Sequence, residues 1–168
     1  MSELTSFLKQ ADIFYQLTPT QLEMVANVCH EHTYAMGEII LEEGASSKEL
    51  YVITHGEVEI LVNPAVVGGP ELQQGTATIA VLRRGQSFGE IALVDEGLRS
   101  ATVRSAQKGT TLLILPRDKV MMLCETYPQL GYRLMYNLAA DLAMKIRNTD
   151  LQIRETLLYG KKNQAKEN

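Results

Sequence analysis

From about Thr33 to Leu115 the chain alternates in twos. The short runs EIIL, ELYVI, EVEILV, ATIAVL, SATVRS and TLLIL are separated by turns carrying Gly37, Gly44, Gly56, Gly85 and Gly109. Apolar, β-branched-rich stretches this short and this evenly punctuated predict a small barrel or jelly roll. In EVEILV the period of two puts Val58, Ile60 and Val62 on one face and Glu57 and Glu59 on the other, one buried and one wet. Residues 63–75, NPAVVGGPELQQG, break the pattern with prolines and glycines and predict a long exposed hairpin loop.

On either side the period changes to that of a helix. Residues 2–10 predict a short helix, and Thr18-Pro19-Thr20-Gln21 supplies the cap, the first-turn proline and the capping-box glutamine of a second, with Leu22, Val25, Ala26 and Cys29 on its apolar face. Pro116 closes the last strand, a short helix carries Val120, Met121 and Cys124, and Tyr127-Pro128 opens a helix running to about Tyr159. Along it Met135, Ala139, Leu142, Ile146, Thr149, Ile153 and Thr156 step by four and three, the spacing of a coiled-coil seam. So long a helix projects beyond so small a domain, which predicts self-association through it over packing on its own barrel. The organisation expected is a jelly roll with N-terminal helices over residues 1–126, a lid or dimerisation helix over 127–160 and a disordered tail over 161–168.

Composition narrows the class without changing this picture. A hydrophobic content of 45% over 168 residues sustains one core, and 16 basic against 20 acidic residues, a net charge of -4, argues against broad adhesion to nucleic acid or to anionic membrane. Cys29 and Cys124, the only cysteines, fall on apolar helix faces and imply a reducing compartment. The start of the chain has no basic region followed by an apolar core, and no apolar run reaches bilayer length, so a soluble cytoplasmic protein is expected. Cys29-His30-Glu31-His32 crosses from helix to strand without a second ligand pair, so no metal site is expected there. No histidine has a recognisable nucleophile partner, and binding rather than catalysis is expected.

One stretch carries chemistry: FGEIALVDEGLRSATV, from Phe88 to Val103. Gly89 allows close backbone approach, and Glu90-Ile91-Ala92-Leu93 predicts a single helical turn that offers free amides to an anion. Arg99 lies nine positions after Glu90 across a loop centred on Asp95-Glu96-Gly97, and its planar fork suits a phosphate diester. Glu90 only accepts hydrogen bonds and repels phosphate, so it needs a donor, and a ribose hydroxyl is one. The competing reading is an ion pair between Glu90 and Arg99 inside the barrel.

This stretch resembles the phosphate-binding cassette of cyclic nucleotide-binding domains, the family of bacterial cAMP receptor proteins and kinase regulatory subunits, and the upstream GEIILEEGASSKELYVITHGEVEIL is similar to the same family. The resemblance covers roughly residues 12–126. It implies a mainly β fold with flanking α, an eight-stranded double-stranded β-helix jelly roll with N-terminal helices and a long C-terminal helix. It further implies a 3′,5′-cyclic nucleotide held by Phe88, Gly89, Glu90, Ile91, Ala92, Arg99, Ser100 and Ala101. By position Glu90 takes the ribose 2′-hydroxyl, Arg99 the cyclic phosphate, and the amides near Gly89, Ile91 and Ala92 complete the cradle. Ser100 can reach the phosphate or a guanine edge, so cAMP is favoured with cGMP left open.

Two departures bear on function. Bacterial receptors of the family append a helix-turn-helix after the long helix, and the chain's end soon after that helix leads us to expect no direct DNA reading by that route. Those receptors also contact adenine through a Thr-Ser pair on the long helix, where an ungapped match from Pro128 places Lys145 and Ile146. Leu142, Lys145, Ile146 and Thr149 are therefore the candidate lid residues. The expected function is a stand-alone cAMP sensor with an unidentified protein partner, homodimeric through its last helix. The alternative is a jelly-roll interaction module whose pocket is vestigial.

Overall fold

The computed structural model describes residues 3–63, 75–95 and 97–164. Helix α1 (Glu3–Leu8), a 3-10 turn (Asp12–Phe14) and α2 (Pro19–Ala26) precede the strands. The capping box forms: Gln21 donates its amide to the Thr18 hydroxyl at 3.3 Å, and the Thr18 amide donates to the Gln21 side chain at 2.9 Å. The helix ends at Ala26, so Cys29 lies beyond it. The thiol still packs on the core and donates to the Ala26 carbonyl at 3.3 Å, and burial pushes its pKa up. Burial pushes the Cys124 thiol up as well.

Eight strands follow among the described residues: β1 (His30–Tyr34), β2 (Ile39–Leu41), β3 (Glu49–His55), β4 (Glu57–Val62), β5 (Ala77–Arg83), β6 (Ser87–Phe88), β7 (Thr102–Ser105) and β8 (Thr110–Pro116). One turn of helix, α3 (Ile91–Val94), separates β6 from β7, and α4 (Arg117–Thr126) and α5 (Pro128–Gln164) close the chain. Every strand pairing is antiparallel, and the sheets run β1-β8-β3-β6 and β2-β7-β4-β5. This is the jelly roll that the alternating runs predict. Two short strands, HEHTY and SF, have too little apolar alternation to be read from sequence, and the sheets rather than their own pattern define them.

The central strands β3 and β8 are buried on both faces, which is why they read as nearly continuous apolar runs. Leu50, Val52, Leu113 and Leu115 meet Phe14, Leu22, Leu130 and Leu134 of the helical layer. Their neighbours Tyr51, Ile53, Leu112 and Ile114 turn into the barrel against Val58, Phe88 and Val103. Each fully buried side chain of this kind stabilises the fold by roughly 1.5–3 kcal/mol relative to exposure.

Strand β4 departs from the simple alternation. Its pairing with β5 slips between Ile60 and Leu61, so Val58 and Leu61 are buried while Ile60 and Val62 are half-buried. The extra residue on β5 is Ile79, which stands between the partners Ala80 and Thr78. The connection between these two strands, expected to be an exposed hairpin loop, lies outside the described residues over 64–74. At Gly56, where φ is +80°, a Cβ would fall 2.6 Å from the Thr110 hydroxyl, so this turn needs glycine for space as well as for conformation.

Helix α5 continues to Gln164, past the predicted end near Tyr159, and the residues from Ala165 on lie outside those described. Along the predicted seam the surroundings change. Met135 packs on the helical core, Ile146 is exposed, and Thr149, Ile153 and Thr156 face a cavity between the helix and the barrel. Among the described residues, no helix is long and apolar enough to cross a membrane, and no group of three His, Cys, Asp or Glu side chains could hold a metal ion.

Candidate ligand-binding site

A cavity of about 980 Å³ opens between β4 and β5, the segment from Phe88 to Ala101, and α5. Its volume lies within the range that accommodates a mononucleotide-sized ligand. Phe88, Gly89, Glu90, Ile91, Ala92, Arg99, Ser100 and Ala101 all line it. The sharp reversal after β6 and the single turn of α3 bring residues nine apart in sequence onto one wall.

Arg99 is 6% exposed and tied in from three directions. Its Nε donates to the Ser47 hydroxyl at 2.7 Å, Nη1 to the Gly89 carbonyl at 3.1 Å and Nη2 to the Glu49 carbonyl at 2.8 Å, with a Glu49 carboxylate oxygen 3.7 Å from Nη2. Its backbone is pinned too, since its amide donates to the Ala45 carbonyl at 2.9 Å and its carbonyl accepts from the Gly44 amide at 2.8 Å. Each terminal nitrogen carries a second N–H beyond these hydrogen bonds. Burial pulls the Arg99 pKa down from its usual value, opposed by Tyr51, Glu49 and Glu90, and the group stays charged at neutral pH.

Gly89 makes this geometry possible. With φ at +79°, a Cβ there would fall 2.8 Å from Arg99 Nη1 and 2.9 Å from the Glu49 carbonyl oxygen. Glycine therefore makes room for the arginine as well as for anything the arginine binds. Beneath it, Tyr51 stacks on Phe88 with ring centroids 5.0 Å apart, and Arg99 lies 6.0 Å from the Tyr51 ring. Burial, with Glu49 adding to it, pushes the Tyr51 hydroxyl up to about 12.

Glu90 is 7% exposed at the start of α3, and it does not pair with Arg99. Its Oε1 accepts from Lys145 Nζ at 2.9 Å. The same ammonium donates to the Ser87 carbonyl at 2.9 Å and lies 2.7 Å from Asp141 Oδ2, one helical turn earlier on α5. The ion pair imagined between Glu90 and Arg99 is thus replaced by two separate ones, Glu90 with Lys145 and Arg99 with Glu49. Of the expected cradle amides, that of Ala92 is already committed to the Gly89 carbonyl at 3.2 Å.

The candidate lid residues do not all meet the cavity. Lys145 and Thr149 line the cavity, but Leu142 and Ile146 do not, and Ile146 is 62% exposed. Near the root the helix presents Asn137, Asp141, Met144, Lys145 and Asn148 to the cavity, and further along it also presents Thr149, Gln152 and Ile153. Sequence reasoning missed Asp141, whose spacing of four from Lys145 was the available signal. It also missed Ser47 and Glu49; Glu49 acts partly through its backbone carbonyl, which no side-chain pattern reveals.

The description "Cyclic nucleotide-binding domain" belongs to the family whose sequence model matches residues 31–127. The Cyclic AMP receptor protein of Thermus thermophilus is 32% identical over 146 residues, covering 87% of this chain and 62% of that protein. The cGMP-dependent protein kinase egl-4 of Caenorhabditis briggsae is 30% identical over 117 residues, covering 70% of this chain and 15% of the kinase. Among solved structures, the Thermus thermophilus Catabolite Activator Protein superposes with a TM-score of 0.71 at 29% identity, over 86% of this chain and 62% of that one. The chain therefore spans less than two thirds of the length of each of these relatives. With the matched segment reaching from the second residue of β1 through α4 and enclosing the whole wall that carries Glu90 and Arg99, the chain belongs to the cyclic nucleotide-binding domain family.

Proposed function

We propose that this protein is a regulatory sensor that binds cyclic AMP in the cavity under α5 and answers by moving that helix. The observation that carries this reading is the placement of a buried, pre-bonded arginine with spare N–H groups and a buried glutamate along one cavity wall. Arg99 pairs with the cyclic phosphate, Glu90 accepts the ribose 2′-hydroxyl, and Gly89, Ile91 and Ser100 lie against the phosphate and sugar. The purine lies towards Asn148 and Thr149 of α5. Relatives named for cyclic AMP and for cGMP support a purine cyclic monophosphate, and Ser100 rather than threonine after the arginine favours cyclic AMP. Movement of α5 needs contacts that differ between the empty and filled states, and its outer half, with Ile146 and Leu158 exposed, is the part through which a second copy or a partner would sense the change.

The vestigial-pocket reading has one observation in its favour, since both Glu90 and Arg99 already have internal partners. Calorimetric titration with cyclic AMP, cGMP and cyclic di-GMP separates the two. Cyclic AMP is expected to bind tightest, and Arg99→Ala to weaken it by about 100-fold or more, as losing one side of a desolvated charge pair does. Flat titrations with a demonstrably folded protein would leave the interaction module as the answer.

A further inference from the structure

Lys145 is bonded to the carboxylate that a ribose hydroxyl would use. Its ammonium is within 2.9 Å of Glu90 Oε1, on the carboxylate proposed above as the sugar's acceptor, and it reaches that point from the helix that roofs the cavity. We propose that Lys145 is a built-in competitor of the ligand's 2′-hydroxyl, holding α5 against the phosphate-binding segment until a ribonucleotide takes Glu90 from it. This inference rests on the reading of the pocket as a cyclic nucleotide site.

Three features make the contact exchangeable. Glu90 has a side chain 8% exposed, so it requires a donor whether or not ligand is present, and lysine or hydroxyl can each serve. Lys145 is 31% exposed and retains Asp141 at 2.7 Å on its own helix, so surrendering Glu90 leaves its charge both paired and partly hydrated. Its other hydrogen bond, to the Ser87 carbonyl, anchors the ammonium to β6 rather than to the core of the helical layer, so its loss frees α5 locally. Below this point Asn137 holds α5 to the N-terminal turn by donating to the Ile13 carbonyl at 3.0 Å and the Tyr15 carbonyl at 2.8 Å. Displacement of Lys145 therefore loosens the helix from Asp141 outward and leaves its root in place.

The consequence is a selectivity that no contact with the base supplies. A ligand bearing the 2′-hydroxyl replaces what it removes, while a 2′-deoxy ligand must leave Lys145 where it is and bind under a closed helix. Affinity for the ribonucleotide is reduced by the fraction of molecules in which Lys145 holds the site, and removing the competitor restores it.

The test compares wild type, Lys145→Met and Lys145→Arg by calorimetry with cyclic AMP and 2′-deoxy cyclic AMP, alongside hydrogen exchange of residues 140–157 without ligand. Lys145→Met is expected to raise cyclic AMP affinity about tenfold, to leave the 2′-deoxy ligand unimproved, and to speed exchange in that part of α5. Lys145→Arg keeps a cation on Glu90 and is expected to behave as wild type. If Lys145→Met binds cyclic AMP no more tightly, or gains equally for both ligands, the competitor is overturned while wild-type binding still upholds the site. Absence of binding in every protein removes the site itself, and the competitor with it.

Discussion

Helix α5 is built from two halves with different chemistry. Over Leu130, Leu134 and Leu138 it is sealed into the helical layer, each leucine at most 2% exposed, and Asn137 stitches it to the N-terminal turn. Beyond Ala140 it carries Ile146, Leu151 and Leu157 at 62%, 58% and 62% exposure and is bonded to the barrel through Lys145, which donates to Glu90 and to the Ser87 carbonyl. A single run of helical hydrogen bonds thus joins a root held by apolar burial to an arm held by exchangeable charge contacts. Apolar burial is strong and indifferent to ligand, whereas a charge contact in a cavity is a place where ligand can compete.

The contrast is broken most directly at the root. Leu134→Ala is expected to lower unfolding free energy by about 2–5 kcal/mol, read as a fall in the urea midpoint at unchanged slope. A loss as small as that of a surface change would mean the root is not what fixes the helix. Asn137→Ala, which strips two backbone carbonyls of their donor, is expected to cost about 1–3 kcal/mol and to raise hydrogen exchange along the arm more than within the barrel. Uniform acceleration would show that Asn137 is not the boundary between the halves. Leu151→Ala, on the arm, is expected to change stability by about 0.5 kcal/mol or less at micromolar protein. A larger loss that grows with protein concentration would show instead that a second copy covers the arm, because oligomerisation adds stability by mass action.

The parts of this molecule that were legible in its sequence are those where one residue type answers one physical need. Short apolar runs between turns gave the strands, and β3 and β8, buried on both faces, read as nearly continuous ones. Gly89, Glu90 and Arg99 stood out because a tight reversal, a lone buried acceptor and a planar donor have few substitutes at that spacing. The face of α5 that roofs the cavity was not legible. Every third or fourth residue from Met135 onward offers some apolar or small side chain, so the spacing alone could not tell Leu142 and Ile146 from Asp141 and Lys145. The slip opposite Ile79 escaped for a related reason, because a one-residue bulge changes which β4 side chain points inward without changing the composition of the strand. Lys145 was noticed, but as a base contact; that it reaches Glu90 depends on where the helix crosses the barrel, a property of packing.

The guanidinium of Arg99 is moored to Ser47, Gly89 and Glu49 before any anion arrives. It would have little rotamer freedom left to surrender to the phosphate proposed to dock there, so that end of the pocket is a fixed post whose position would hardly register whether it is occupied. On the reading proposed above, any message would start at the sugar, because that is where something has to let go.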